Sequence, residues 1–297
     1  MTTIQRLGAA LLFSVVGMTQ LACSAAAQQS TTGSARVTTC DRSQFRVVVD
    51  VGHTNNAGGA LSARGAFEYQ FNFRLAAQIE QGLIDAGFDK ALLVVTTQAP
   101  IGGLFQRASL ANSLRADLFL SIHHDAVPDS FLQKWDYQGA THQYCDRFKG
   151  HSIFVSHDNS DYAGSLMFGQ MLGASLKTRG LQYTPHYTEP FMGHRRRILV
   201  DPQTGVYRYD QLIVLRQTRM PAVLFEAGSI VNRDEELLLA SPEHRDQISA
   251  AATEAVEKFC TARAGRIPVM AKATVHPRSV ARSHVLATRT GGAREEH

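Results

Sequence analysis

The sequence predicts an α/β fold with a mainly parallel, twisted sheet and helices on both of its faces. Short apolar segments suited to strands alternate along the chain with longer segments whose apolar residues recur at helical spacing. The predicted first strand, residues 46–51, contains three consecutive valines, and such a run is typical of a strand covered on both faces. The 297-residue length and the 44% hydrophobic and 19% charged content fit one large domain with tails.

The first helix is predicted over residues 66–86. Its apolar residues recur every four positions and form one stripe: Phe67, Phe71, Leu75, Ile79 and Leu83. Gly87 is expected to end this helix, because glycine readily adopts the left-handed conformation found at helix ends. Strands are then predicted at 91–97 and 118–122, with a helix at 103–115 between them.

The second half of the chain continues this alternation. Strands are predicted at 152–156 and 221–226, and a helix at 161–178. The last helix, residues 242–260, follows Ser241 as N-cap and has proline in its first position.

Three segments are less regular. Residues 127–150 are predicted to be a functional or partly mobile loop, because they exceed the usual length of a connection in a compact domain. A second long segment, 181–208, contains three prolines and no clean helical period. Residues 210–217 fit either a short helix or a short strand.

Four polar residues follow apolar strands or open helices where one cleft can gather them. His53 follows the first strand, His123 and Glu226 lie at the ends of two later strands, and Glu68 is near the start of the first helix. One such residue alone is more often a turn residue or a helix-start acid. Three strands that each end near an imidazole or a carboxylate argue for a functional site and against three unrelated turn residues. Imidazole and carboxylate are the ligand types of catalytic zinc.

Further segments extend this pattern. They are Val-Asp-Val-Gly-His at 49–53, Gly65 to Glu68, Arg107 with Asn112, residues 116–126 and residues 221–232. Their order over residues 45–260 resembles the zinc-dependent N-acetylmuramoyl-L-alanine amidases of the Amidase_3 type. Thr54 and His124 depart from the family, which often has glycine and alanine there, and residues 127–215 match only loosely.

The resemblance implies that His53, Glu68 and His123 hold one Zn²⁺ and that Glu226 is the catalytic carboxylate. It also implies hydrolysis of the amide between the lactyl group of N-acetylmuramic acid and L-alanine, in peptidoglycan or muropeptides. His124 is an alternative ligand to His123. Only one of the two is expected to reach the metal, because adjacent strand residues point to opposite faces, and the family pattern selects His123.

Other polar residues have more than one interpretation. Asp50 either orients His53 or forms a turn. Arg107 and Asn112 are expected to be structural, and Asn232 is expected to cap or brace the loop after Glu226. Four single histidines are expected to have no catalytic part: His151, His157, His186 and His194.

The segment 181–208 raises two further possibilities. Its three arginines at 195–197 form either a solvated face or a contact with anionic glycan or stem-peptide carboxylates. In related division amidases an inserted helix covers the metal until a protein partner displaces it. That precedent makes Glu189 a candidate occluding carboxylate and an activator a candidate partner, although the prolines argue against a helix here.

Residues 1–27 are predicted to be an export signal, with Arg6, an apolar stretch at 7–16 and small residues before residue 28. The apolar stretch is too short for a permanent transmembrane anchor. Cys23 offers lipid anchoring as an alternative, but glutamine stands where a lipoprotein signal usually has leucine. A soluble periplasmic form is therefore favoured.

The remaining boundaries follow from composition. Residues 28–44 are predicted to be a flexible polar segment, 45–261 the catalytic domain and 262–297 a basic disordered tail. The formal charge of +4 is mild and much of the basic excess follows Arg263, so no nucleic-acid surface is expected on the folded part.

Export permits disulfide bonds, and the mature chain would retain Cys40, Cys145 and Cys260. Cys40 precedes the first strand, and Cys260 closes a helix that returns to the same end of the sheet. A Cys40–Cys260 bond is therefore expected, worth ~4–5 kcal/mol through loop closure. Three free thiols, or a bond that involves Cys145, are the alternatives.

Two other functions fit the same residues. One is a catalytically silent or regulatory protein that binds peptidoglycan with this fold. The other is a zinc peptidase that cleaves inside the stem peptide. The presence of all four polar residues favours an enzyme over a silent binder, because a binder has no need of them.

Overall fold

The computed structural model describes residues 39–97 and 100–265. The predicted export signal at 1–27, most of the polar segment at 28–44 and most of the basic tail at 262–297 lie outside the described residues. The strands and helices are, in chain order, β1 (Val47–Val51), α1 (Glu68–Asp85), β2 (Leu92–Val94), α2 (Pro100–Ser113), β3 (Leu118–Asp125), β4 (Gln133–Tyr137), β5 (Ala140–Tyr144), β6 (Ser152–Val155), α3 (Tyr162–Thr178), β7 (Ile198–Asp201), β8 (Val206–Arg208), α4 (Ile213–Gln217), β9 (Ala222–Ser229), α5 (Arg233–Ala240) and α6 (Pro242–Ala264).

Seven strands form the main sheet in the order β2-β1-β3-β9-β6-β8-β7. Strands β2, β1, β3 and β9 are mutually parallel, and β6 pairs parallel with β8. Strand β6 runs antiparallel to β9, and β7 runs antiparallel to β8. The predicted mainly parallel α/β sheet is therefore confirmed. The strands that carry His123 and Glu226 are neighbours, and β1 lies beside them.

Helices cover both faces of this sheet, as predicted. Val47, Val49 and Val51 belong to the core that includes buried residues of α1, α3 and α6. Val48 belongs to a second core with buried residues of α2 and α4. All five residues of β1 are buried, because each face of the strand is covered by a helical layer.

Two strands are longer than the sequence predicts. β3 continues to Asp125 and β9 to Ser229, because the pairing between them continues past His123 and Glu226. The predicted strand ends at 122 and 226 are therefore wrong, and both side chains project from within the sheet. The register shifts between His123 and Asp125, and such bulges often re-aim side chains beside a site.

The predicted loop at 127–150 is wrong, because it contains the β4–β5 hairpin. Gln138 and Gly139 both have positive φ, 50° and 81°, as a two-residue type I′ hairpin turn requires. The hairpin lies against the loop after β1, where Trp135 Nε1 donates a hydrogen bond of 2.9 Å to the Ala63 carbonyl.

The later segments are also more regular than predicted. Residues 181–208 contain two short 3-10 helices, His186–Thr188 and Pro190–Arg195, followed by β7 and β8. The ambiguous residues 210–217 contain the short helix α4. α5 was not predicted, and α6 continues to Ala264, past the predicted end at 260.

Cys40 and Cys260 form a disulfide bond with a Cα–Cα distance of 5.3 Å, which confirms the predicted pairing. Cys145 is a buried free thiol. Within residues 39–97 and 100–265, no helix combines the length and the apolar character needed to cross a membrane.

Candidate metal centre

Three of the four predicted site residues meet at the carboxyl ends of the central strands. His53 follows β1, Glu68 is the first residue of α1, and His123 lies in β3. One ligand atom from each lies within 4.8 Å of the other two. His53 Nε2 is 2.9 Å from Glu68 Oε2, and His123 Nδ1 is 3.0 Å from Glu68 Oε1. The two imidazoles therefore flank one carboxylate.

Two glycines let the backbone pass close to this cluster. A Cβ atom at Gly52 would lie 2.5 Å from the His123 ring. A Cβ at Gly59, where φ is +76°, would lie 2.5 Å from Glu68 Oε2 and 2.7 Å from the His53 ring. His53 itself has φ of 64°, a left-handed conformation that is uncommon for a residue with a side chain. The loop after β1 is thus shaped around the cluster.

Glu68 is held by more than the two imidazoles. Its Oε1 accepts hydrogen bonds from Asn72 Nδ2 at 3.1 Å and from the His124 backbone N–H at 3.3 Å. Its Oε2 accepts from the Ala60 backbone N–H at 3.2 Å. Burial raises the pKa of Glu68, but the hydrogen bonds with His123 and His53 outweigh burial, and the net pKa lies below its usual range. The carboxylate is therefore anionic and fixed in orientation.

Asn72 is a buried residue of the site that the sequence did not single out. Its amide donates to Glu68 and to the Gly52 carbonyl at 3.2 Å, and its Oδ1 lies 2.8 Å from His124 Nδ1. The spacing of four residues from Glu68 on α1 was a signal that could have found it. His124 is thus engaged by Asn72, and burial lowers its pKa to about 3.

Neither interpretation of Asp50 is correct. Asp50 is buried within β1, where its Oδ2 accepts a hydrogen bond of 2.7 Å from Ser121 and lies 3.5 Å from Arg107 Nη1. Burial raises the pKa of Asp50 despite the nearby Arg107 charge. Arg107 in turn donates to the His53 carbonyl. Asp50 is therefore connected to His53 only through Arg107, which bonds the His53 backbone carbonyl. Asp50 makes no hydrogen bond with the His53 imidazole.

Glu226 lies beside His123 in the paired strands β9 and β3. Its Oε2 is buried and has no hydrogen-bond partner in the described part of the chain. Burial and the negative charges of Asp125 and Glu68 raise the pKa of Glu226 well above its ordinary value. A free carboxylate oxygen thus stands next to the cluster of possible metal ligands.

The sequence profile of the Amidase_3 family, described as N-acetylmuramoyl-L-alanine amidase, matches residues 47–258. The match covers well over half of the chain and includes all four clustered residues. The chain belongs to the N-acetylmuramoyl-L-alanine amidase family. The resemblance found in the sequence is therefore confirmed, and the protein is a peptidoglycan amidase.

Two relatives of known family agree with this assignment. The germination-specific N-acetylmuramoyl-L-alanine amidase of Bacillus subtilis is 22% identical over 230 residues, 72% of this chain and 79% of that protein. The probable cell wall amidase LytH of Staphylococcus aureus is 23% identical over 218 residues, 73% of this chain. That alignment spans 58% of LytH, so it leaves a large part of the staphylococcal protein unmatched.

The fold of the amidase also matches a solved structure. The crystal structure of the N-acetylmuramyl-L-alanine amidase Ami1 from Mycobacterium smegmatis superimposes with a TM-score of 0.55 at 18% sequence identity. The alignment covers 74% of this chain and 98% of Ami1. The likeness shows that the two chains share an architecture.

A cavity of about 340 Å³ opens over His53, Glu68 and His123 in the amidase. The four predicted residues line it together with His124, Asp125, Ala126, Pro128, Tyr187, Met192, Arg195, Arg197 and Tyr209. The segment 181–208 therefore contributes side chains to the site. Glu189 is exposed and is not among the lining residues, so the structure does not place it as an occluding carboxylate.

Tyr187 joins this segment to the end of β3. Its hydroxyl donates to both carboxylate oxygens of Asp125, at 2.8 and 2.9 Å. Burial raises the pKa of Asp125 to about 7 even with this hydrogen bond. The two residues were missed because they are 62 positions apart, and no local pattern relates them.

The remaining predicted residues are structural. Asn232 accepts hydrogen bonds from the backbone N–H groups of Asp234 and Glu235 and so caps α5. Asn112 Nδ2 donates to the Gln217 carbonyl at 2.9 Å, away from the cavity. The single histidines also lie outside the cavity: His151 and His186 are buried with pKa values lowered to about 4 by burial, and His157 and His194 are exposed.

Proposed function

We propose that this amidase is an exported zinc hydrolase that cleaves the amide between the lactyl group of N-acetylmuramic acid and L-alanine of the stem peptide. One observation carries the proposal. Ligand atoms of His53, Glu68 and His123 lie within 4.8 Å of one another, beside the unpartnered carboxylate oxygen of Glu226. The family match supports the choice of bond.

The donor set fits zinc. Two imidazole nitrogens and one carboxylate oxygen are a ligand set of catalytic zinc sites, which keep a further position open. Hydrogen bonds from Asn72 and the Ala60 N–H orient the Glu68 carboxylate between the two imidazoles. Bound zinc supplies a Lewis acid that polarises the amide carbonyl and lowers the pKa of water toward ~7. No chemistry beyond that is required of the metal.

Protein side chains provide the proton transfer and hold the metal ligands in position. Glu226 would accept a proton of the attacking water at its carboxylate, since the positive charge of a bound metal lowers the pKa that burial raises, and would deliver that proton to the departing alanine nitrogen. Its unpartnered Oε2 leaves it available for this transfer. Asn72 and the Ala60 N–H hold Glu68 in place, and Arg107 holds the backbone of His53, so the three ligand side chains keep their relative positions.

Location follows from the substrate. Peptidoglycan lies outside the cytoplasmic membrane, so the proposed reaction needs an exported enzyme, in agreement with the predicted signal at 1–27. We place the amidase in the periplasm on that basis. A protein activator stays a prediction, supported by the contribution of the segment 181–208 to the cavity.

The assigned roles are tested by comparing Glu226→Gln with His123→Ala. Glu226→Gln should keep one zinc per chain and lose at least about 100-fold in muropeptide hydrolysis, because general acid–base transfer contributes that much or more. His123→Ala should lose zinc as well as activity. Glu189→Gln is the matched control, since it neutralises an exposed carboxylate that does not line the cavity.

Zinc content by elemental analysis and hydrolysis by product chromatography separate these outcomes. Full hydrolysis by Glu226→Gln would refute the role of Glu226. Normal zinc content in His123→Ala would refute the ligand set. A loss in Glu189→Gln equal to that in Glu226→Gln would point to a general charge effect.

A further inference from the structure

Two arginines line the cavity but have no part in the proposed hydrolysis. Arg195 and Arg197 lie in the wall that the segment 181–208 contributes. Within the described residues, neither guanidinium has a carboxylate within 4.0 Å. Other arginines of the described chain are paired with carboxylates, as in Arg64–Glu236 and Arg233–Asp146. The cavity is therefore lined by two guanidinium groups that no carboxylate of the described residues neutralises.

The guanidinium of Arg197 is held in a fixed position. Its Nη1 donates to the carbonyls of His194 and Arg196, at 3.1 and 3.0 Å. Its central carbon lies 3.6 Å from the centroid of the Tyr209 ring. Its backbone N–H donates to the Tyr187 carbonyl at 2.8 Å. These contacts preorganise the side chain at the cavity before any ligand binds.

The same contacts leave part of the guanidinium free. Both hydrogens of Nη1 are used within the loop, whereas Nε is buried without a hydrogen-bond partner. Nη2 also makes no hydrogen bond within residues 39–97 and 100–265. Free donors on a fixed guanidinium are suited to a carboxylate, which accepts two parallel hydrogen bonds from arginine.

The distribution of charged side chains around the cavity favours binding of an anion at the end lined by Arg195 and Arg197. Glu68, Asp125 and Glu226 bring three carboxyl groups to the rest of its lining. Among the described residues that line the cavity, Arg195 and Arg197 are the only arginines or lysines, so a ligand carboxylate remote from the reacting bond is attracted to them. A ligand with a carboxylate on one side of its reacting bond is therefore bound in one orientation.

We propose that Arg197, assisted by Arg195, binds a carboxylate in the peptide part of the substrate and makes the amidase selective for acidic peptides. This inference rests on the proposed function. The amide to L-alanine uses the single carboxyl group of N-acetylmuramic acid, so the saccharide side of that bond has no carboxylate of its own. A carboxylate at the arginines therefore belongs to the peptide.

The test compares two muropeptides that differ only in whether the peptide carboxylates are free or amidated. Arg197→Gln should lower kcat/KM for the free-carboxylate substrate about 10- to 100-fold, mainly through KM, because a charge-assisted hydrogen bond is lost. Hydrolysis of the amidated substrate should change less than about twofold. Arg195→Gln should show the same selectivity with a smaller loss, since Arg195 is exposed.

Arg196→Gln is the matched control, because Arg196 belongs to the same run but is exposed and does not line the cavity. It should behave as wild type on both substrates. Melting temperature and zinc content verify that the variants fold. If Arg197→Gln does not fold, the selectivity of Arg195→Gln for the two substrates still tests the proposal, because Arg195 is exposed. An equal loss on both substrates, or no wild-type preference for the free carboxylates, overturns the proposal.

Binding separates this inference from the proposed function. The Glu226→Gln variant is titrated calorimetrically with both muropeptides, and the free-carboxylate form should bind at least about 10-fold more tightly. Adding Arg197→Gln should remove that difference. Cleavage of the predicted bond without any preference refutes the carboxylate site alone. A preference in binding that depends on Arg197, without cleavage of that bond, refutes the proposed function alone.

Discussion

The cluster of His53, Glu68 and His123 depends on two glycines, Gly52 and Gly59, where an added Cβ would lie 2.5–2.8 Å from its side chains. Gly59 is the clearest case, because it combines a positive φ with close approach to both Glu68 and His53. A methyl group there displaces the Glu68 carboxylate or the His53 ring, and ligand orientation controls metal affinity. The loop after β1 is therefore as much a part of the site as the ligands.

We expect Gly59→Ala to weaken zinc binding about 10- to 100-fold, measured by competition with a chelator of known affinity. Gly180→Ala is the matched control. Its φ of +78° is close to the +76° of Gly59, but nothing lies within 4 Å of the added Cβ. Equal zinc affinities in the two variants would show that backbone strain alone, and not contact with the ligands, sets the effect.

For single residues, the sequence predicts the candidate ligands and the catalytic carboxylate better than it predicts the residues that hold them in place. His53, His123 and Glu226 were found because parallel neighbouring strands bring polar residues to one end of a sheet. Asn72 and the contact between Asp125 and Tyr187 were not found. They depend on side-chain directions and on packing between distant segments, which a one-dimensional pattern does not contain.

Among the elements, α5 is joined to the segment before β6 by side chains of Asn232, Arg233 and Glu235, of which Asn232 is the buried one. Asn232 caps α5 through its Oδ1, and its Nδ2 donates to the Asp146 and Phe148 carbonyls at 3.1 and 3.2 Å. One residue thus connects a helix end with the chain that follows the β4–β5 hairpin.

Asn232→Ala should lower the free energy of unfolding by ~2–4 kcal/mol, the sum of a lost cap and two lost hydrogen bonds to buried carbonyls. Asn232→Asp keeps the capping acceptor but not the donors, so its loss should be smaller, ~1–2 kcal/mol. Urea unfolding measures both. Equal losses would mean that the cap contributes nothing, and wild-type stability of both would contradict the bracing role.

The elements themselves show where a sequence pattern is sufficient. The stripe on α1 and the Ser241-Pro242 start of α6 predicted helices that the structure contains. The β4–β5 hairpin was missed although Gln138-Gly139 allows a tight turn, because its short strands lack a long apolar run. β3 and β9 were predicted too short, since their polar ends are held by pairing with each other and not by their own composition.

On the scale of the whole molecule, the Cys40–Cys260 bond joins the start of the described chain to its last helix. Its sequence separation of 220 residues is nearly the length of the folded region. Closing so long a loop restricts the unfolded chain far more than the folded one.

Cys260→Ser should therefore lower the free energy of unfolding by ~4–5 kcal/mol. Cys40→Ser should cost the same, and the double variant should cost no more than either single one, because they remove one bond. Denaturant unfolding of the metal-free protein measures all three. Additive losses in the double variant would indicate that each cysteine contributes by packing and that the bond contributes little.

Mass spectrometry of the products formed from peptidoglycan tests the central claim most directly. The zinc-loaded protein should release stem peptides with a free amino-terminal L-alanine and leave N-acetylmuramic acid with its lactyl carboxyl group free. Chelator should stop the release, and zinc should restore it. Products in which muramic acid still carries alanine, with a cut farther along the peptide, would contradict the assigned bond and identify a peptidase.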